Sequence, residues 1–418
     1  METPANETTF KNYLAFFAGQ QASLLGSSVA QFVIIWWITI TTESTIYLSI
    51  AAFLGLTPMI ILSPVTGVFA DRWNRKMLIG VVDFLQALTA LGLIFLFWAG
   101  TVSVFHIFVV LALRGVFQAF HMPAVSAITP LMVPPDKLSR VNGLSYLLNG
   151  VMTIIGPVLA ALLLAYWQVY QILWIDVATF LIALSPLLLI KIPPIRIGRE
   201  KSSFKKEFME GFGFIKNGKG FMTLLMLATV LNLLLTPLST LFSYFVMIDH
   251  AGTAQEFALV SAFVNGGILA GGLLMSVTRG FKDKMVATAI SIYITFVGYA
   301  LIALTPLGMF WFMALGALIM SMCLPIANVS IQTIVQTVVP IEMQGRVNAV
   351  TMGLASAAQP LGMILAGLIA GVIGTANLFL ACALLGIVAM TGAWFLTDVK
   401  YVDKLKNPNV AFDSPQVT

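Results

Sequence analysis

Apolar residues run along this chain in long blocks separated by short polar or glycine-proline breaks. A helix needs about 20 residues to cross a hydrocarbon layer of roughly 30 Å. Blocks of that length fall at 13–40, 46–70, 77–98, 103–130, 138–165 and 168–190. Six more fall at 220–247, 256–278, 285–304, 307–332, 346–372 and 375–396. The pattern predicts an all-α membrane protein with twelve transmembrane helices in two bundles of six. Pro58, Pro64, Pro123, Pro237 and Pro325 lie inside blocks and mark places for a kink.

The break at 191–219 divides the two sets. Pro193 and Pro194 stop the preceding helix. Phe204, Phe208, Phe212 and Ile215 then recur at helical spacing among Lys205, Lys206, Glu207 and Glu210. That spacing predicts an amphipathic helix lying on the lipid surface. The expected organisation is a first bundle over 1–190, a linker over 191–219, a second bundle over 220–397 and a tail over 398–418.

The two sets are also related in sequence. Residues 133–143, Val-Pro-Pro-Asp-Lys-Leu-Ser-Arg-Val-Asn-Gly, line up with 339–349, Val-Pro-Ile-Glu-Met-Gln-Gly-Arg-Val-Asn-Ala, with five of eleven identical. Residues 158–163 line up with 364–369 in the same register. Two parallel six-helix repeats joined by a linker form a transporter layout with the substrate site between the repeats.

Composition narrows the picture. Residues are 59% hydrophobic and 9% charged, against about 25% charged in soluble domains. So little charge cannot dress a large water-facing surface. The net charge of +5 is explained by topology. With the N-terminus in the cytoplasm, every Lys and Arg except Arg114 falls on the cytoplasmic side or in the tail, and the outer loops hold none. Both termini are therefore expected in the cytoplasm, with the chain in an inner or plasma membrane. The basic balance then calls for no nucleic-acid partner. The polar start, Met1 to Lys11, lacks a signal-peptide pattern, so the first block is expected to stay as a membrane helix.

Candidate chemistry is sparse. Cys323 and Cys382 sit in apolar runs, and His106, His121 and His250 are far apart, so no disulfide framework or metal spacing is expected. A membrane enzyme would need converging nucleophile, base or metal-ligand groups, and helix-borne patterns for them are missing. There is no Gly-rich loop ending in Lys-Ser/Thr to cradle ATP phosphates. The expected activity is transport without a cofactor, with an ion gradient as the energy source.

The stretch Gly67-Val-Phe-Ala-Asp71-Arg72-Trp-Asn-Arg75-Lys76 resembles the helix 2–3 loop signature of the major facilitator superfamily. Asn74 stands where a second glycine is usual, and Phe69 where leucine is usual. The Arg114 segment, the Val-Pro-x-x-x-x-x-Arg-Val-Asn junctions and Trp174-Ile-Asp176 resemble the bacterial macrolide-efflux and siderophore-export branch. The resemblance implies a monomeric secondary transporter that exports drugs or amphipathic metabolites in exchange for protons. An importer or uniporter of a small metabolite is the alternative within transport. Gly67, Asp71, Arg72, Arg75 and Lys76 would then act as a cytoplasmic latch, with Asp71 at a helix N-terminus where the dipole favours an anion.

Three ionisable residues fall within spans: Asp83, Arg114 and Asp176. An unpaired charge at the bilayer centre costs about 2.5–3.5 kcal/mol or more, so each needs a partner or water. Arg114 can tune a carboxylate or bind an anionic group facing the cavity, and Asp176 can carry a coupling proton. In the family, helices 3 and 6 are peripheral, which implies structural pairing for Asp83 and Asp176. Helices 1, 4, 7 and 10 line the family's cavity. They carry Gln20, Ser27 and Gln31, then Gln118 and His121, then Asn232 and Tyr244, then Asn328 and Gln332. With Trp36, Trp37 and many Met and Phe residues, these suggest a roomy, mostly apolar cavity suited to an amphipathic compound. Gly150, Gly156 and Pro157 resemble the helix-5 motif of the family's exporters in a loosened form. Small residues there allow close helix packing.

Overall fold

A computed structural model describes residues 7–190, 204–218, 220–278 and 281–404. Among them there are helices and turns and no strand. In chain order the helices are α1 (Glu7–Thr42), α2 (Thr45–Arg72), α3 (Arg75–Trp98), α4 (Val104–Ser126), α5 (Thr129–Met132), α6 (Pro135–Leu164) and α7 (Val169–Leu189). Then follow α8 (Phe204–Asn217), α9 (Phe221–Tyr244), α10 (Ala254–Val277), α11 (Lys284–Ala303), α12 (Phe310–Val338), α13 (Ile341–Ala357), α14 (Gln359–Ile373) and α15 (Thr375–Leu396). Twelve stretches of the described residues are long and apolar enough to cross a membrane. Exposed Trp98, Trp167 and Trp311 sit at helix ends, the level where amphipathic rings favour the bilayer interface.

Two predicted spans are interrupted. The block 103–130 forms α4 and α5, and 346–372 forms most of α13 together with α14. In each case a proline is the cause. Pro130 and Pro360 open the second helix of the pair. Neither has an N–H for the carbonyl one turn earlier, and each ring crowds that turn. The seventh span ends in a π turn, Phe245–Asp249.

The chain divides into two compact units. One is Met1–Gly198 with Val246–Ala262, the other Arg199–Phe245 with Phe263–Thr418. Residues 246–262 therefore group with the first unit rather than with their neighbours in sequence. Phe257 stacks on Phe32 at 5.0 Å, and Gln255 Nε2 donates to Ala161 O at 3.2 Å.

In the first unit α1 packs on α6 and α7, α2 on α4, and α3 on α4 and α7. In the second, α9 packs on α14 and α15, and α11 on α12 and α15. The sequence repeat reappears as geometry. Pro134 precedes α6 with φ −55° and ψ 143°, and Pro340 precedes α13 with φ −54° and ψ 144°. Gly156 of α6 lies against Ser28 of α1, where a Cβ would overlap the serine side chain. Its repeat partner, Gly362 of α14, lies against Leu233 and Thr236 of α9 in a looser contact, with the nearest atom 2.9 Å from a Cβ position.

The helix α8 belongs to the second unit. Ile215 is buried in the cluster formed by Phe221, Leu224, Val335, Val347 and Val402. Glu210 pairs with Arg346 of α13 at 2.6 Å. The side chains of Phe204 and Phe208, two members of the predicted apolar face, lie outside the described residues.

Candidate functional site

Asp83, Arg114, His121 and Asp176 lie inside spans of the first unit, away from the helix ends, and they meet in pairs. Arg114 and His121 are seven residues apart on α4, two helical turns, and so share a face. α3, which bears Asp83, packs against α4 and against α7, which bears Asp176.

The Arg114 guanidinium is hydrogen-bonded to Asp176 Oδ2, with side-chain exposures of 11% and 8%. Ser27 Oγ of α1 donates to Asp176 Oδ1 at 3.0 Å. Both carboxylate oxygens thus have donors, which compensates much of the cost of burying the charge. Gly26 makes this reach possible. A Cβ at Gly26 would overlap Thr179 Oγ1 and lie 3.1 Å from Asp176 Cα, so α1 meets α7 backbone to backbone and Ser27 is delivered to the carboxylate.

Asp83 is 6% exposed. Its Oδ1 lies 2.9 Å from His121 Nε2, yet out of line for a straight hydrogen bond, and Asp83 Oδ2 has no partner among the described residues. Arg114 Nε is likewise buried without one. The two carboxylates border one small, water-sized cavity, lined also by Ser23, Ser27, Gln86, Ala87 and Phe180. The cavity lies wholly inside the first unit. Its walls carry two acids, hydroxyls and an amide, a set able to hold water or a proton.

The sequence singled out Asp83, Arg114, Asp176, Ser27 and His121, and the structure gathers all five. It pairs Arg114 with Asp176 and Asp83 with His121. Ser23 and Gln86 complete the cavity wall without having been singled out. Each sits one helical turn from a predicted residue, Ser23 before Ser27 and Gln86 after Asp83, and that spacing was the available signal.

The remaining candidates divide between the two units. Gln20 is buried with Nε2 unpartnered. Gln31 and Asn328 are exposed, while Gln118, Tyr244 and Gln332 are half-buried. Asn232 Nδ2 donates within its own helix to Ala228 O at 2.8 Å. Gly156 is the close contact with Ser28 already described. The carbonyl of Gly150 accepts from Thr153 Oγ1 at 2.8 Å. Pro157 is inside α6.

In the loop after α2, the side chains of Asp71 and Arg72, like Gly67, lie outside the described residues. Arg75 and Lys76 open α3 and cap the ends of its neighbours. Arg75 Nη1 donates to Ala127 O at 3.1 Å, just past α4. Lys76 Nζ donates to Leu188 O and Ile190 O, both at 2.7 Å, at the end of α7. Cations there meet the negative ends of helix dipoles. Asn74, the departure from the signature, is the N-cap of α3, its side chain accepting from Met77 N at 3.2 Å.

Comparison with known proteins gives this architecture a context. The chain is 30% identical over 370 residues to macrolide efflux protein A of Streptococcus pyogenes, covering 88% of this chain and 91% of that one. It is 25% identical over 384 residues to the multidrug efflux pump Tap of Mycobacterium tuberculosis (strain CDC 1551 / Oshkosh), covering 89% and 90%. Among solved structures, an inward-facing bacterial homologue of the iron transporter ferroportin aligns with a TM-score of 0.69 at 16% identity, covering 92% of this chain and 98% of that one. A bacterial homologue of the lysosomal transporter Spinster aligns with a TM-score of 0.66 at 15% identity, covering 98% and 100%. At such identities the likeness concerns the fold. The sequence profile of the Major Facilitator Superfamily matches residues 16–359, and with the twelve spans and the repeated bundles in place, this chain is a multi-pass membrane transporter, not an enzyme, and belongs to that superfamily.

Proposed function

We propose that this transporter exports amphipathic, macrolide-like compounds from the cell by alternating access, driven by protons moving inward. The observation that carries the export reading is the near full-length likeness to macrolide efflux protein A. Proton drive is supported by the ionisable cluster around the acid-lined cavity in the first unit, because ionisable groups held within membrane spans mark proton pathways. No cofactor is needed: the gradient supplies the work. The one-sided distribution of Lys and Arg supports cytoplasmic termini, with Thr253 outside.

The test is transport of radiolabelled erythromycin by the purified chain in liposomes. An imposed pH gradient should drive uphill movement, and collapsing the gradient should stop it. Transport that ignores the gradient would leave export without the proton, and no erythromycin movement in either direction would remove the macrolide reading. In cells, Thr253→Cys should react with an impermeant maleimide from outside. Reaction only after the cytoplasmic face is opened would reverse the topology.

A further inference from the structure

The membrane-embedded charges of the first unit do not balance. Asp83 and Asp176 are two anions and Arg114 one cation, so with a neutral His121 the cluster carries one net negative charge. A net charge held among helices in lipid is expensive. One proton on the imidazole brings the cluster to neutrality. The two pairs are also unequal. Asp176 has a donor on each oxygen, whereas Asp83 has only the off-line His121 contact and a buried, unpartnered Oδ2 beside the cavity.

We propose that His121 carries the coupling proton, with Asp83 as the anion that holds it there, and that the Arg114–Asp176 pair is a fixed neighbour rather than the carrier. This rests on the proton-driven reading above. The proton comes from cavity water, forms one N–H bond on the imidazole and leaves the same way; no other bond changes. Imidazole suits the task because it gains and loses a proton near neutral pH.

The surroundings of Asp83 supply no competing group. From α4 it faces His121, and across the cavity from α7 it faces Asp176, whose own cation is Arg114. α1 offers the hydroxyls of Ser23 and Ser27. α2, which also touches α3, has Tyr47 near its opposite end; Asp71 and Arg72 of α2 have side chains outside the described set. In the loaded state Asp83 and the imidazolium form a second ion pair beside the first. In the empty state Asp83 is an anion without a counter-ion, and the first unit is driven to relieve it by opening the cavity to water or by reloading. That difference in stability is what a coupling ion needs if it is to shift a conformational equilibrium.

The chain has three histidines, His106, His121 and His250, so nitrogen-15 NMR of histidine-labelled protein in liposomes can follow each one. His121→Gln identifies the His121 signal. The wild-type His121 imidazole should pass from neutral to protonated as the buffer is acidified, and Asp83→Asn should leave it neutral over the same range. Asp83→Glu, a fallback if the amide variant does not fold, keeps the anion and should keep the protonation, displaced along the pH axis. An imidazole that never changes state, or that titrates identically in Asp83→Asn, overturns the proposal. In liposomes moving erythromycin, His121→Gln should abolish acceleration by the pH gradient, and wild-type acceleration in that variant would also overturn it. If His121 titrates in concert with Asp83 but the wild type moves no erythromycin, the export reading fails and the proton site stands.

Discussion

The two halves share a helix plan and a repeated sequence, yet their interiors differ. The first half buries two acids, an arginine and a histidine, joined across α1, α3, α4 and α7. In the second half, the acidic and basic residues of the described spans sit at span ends, as Lys284 and Arg346 do. Its centre is aromatic: Phe245 and Phe379 are 5.0 Å apart, Tyr299 and Phe379 5.6 Å, and Phe296 and Tyr299 6.3 Å. One bundle therefore ties its helices with buried charge, and the other with apolar packing and neutral hydrogen bonds such as that between Tyr293 and Thr391 at 2.9 Å. The lesson is that duplication preserved the spacing of the backbones while the chemistry of the cores diverged.

The sharpest way to break this comparison is to remove one charge. Arg114→Ala leaves the buried Asp176 without its cation, and stranding a charge in this way costs about 3–5 kcal/mol. Folded yield after detergent extraction should fall steeply, and Asp176→Asn added to Arg114→Ala should restore much of it. Full yield from the single variant would mean that the pair is not a structural tie.

Next in size is a test of what the halves have in common. Gly156→Val and Gly362→Val each force a side chain into the neighbouring helix's side chains, with an overpacking cost of about 1–3 kcal/mol. Thermal unfolding should show a loss for both, the larger for Gly156→Val. A loss in one alone would show that the repeated crossing bears weight in only one bundle.

The smallest effect is expected in the aromatic core. Tyr299 is fully buried, and its hydroxyl has only loose contacts, to the Leu238 backbone and the Cys382 thiol. Tyr299→Phe removes a weakly held polar atom, so stability should change by less than about 1 kcal/mol. A marked loss would place a polar partner in the core of the second half and narrow the contrast.

Much of the fold was legible because hydropathy and basic residues are one-dimensional signals. A lipid solvent writes each span as a run, and a repeat survives in motifs such as Val-Pro and Arg-Val-Asn. The breaks at Pro130 and Pro360 were missed because apolar runs continue through them. The pairings were harder. Nothing near Asp83 in sequence points to His121: contact depends on how α3 and α4 are rotated about their axes, which no local pattern records. Arg75 and Lys76 were readable as cytoplasmic charges, but their carbonyl partners belong to helix ends 52 and 112 residues away.

The Arg114–Asp176 pair also has a history within each molecule. The two residues are 62 positions apart. At a synthesis rate of about 5–20 residues per second, the arginine enters the membrane about 3–12 s before its carboxylate is made. For that interval α4 is a poor candidate for release into lipid, and the insertion machinery has to shelter it until α7 arrives. A nascent chain stopped between those positions would carry an orphan charge and be cleared, so the first bundle commits to the membrane as a group rather than one helix at a time.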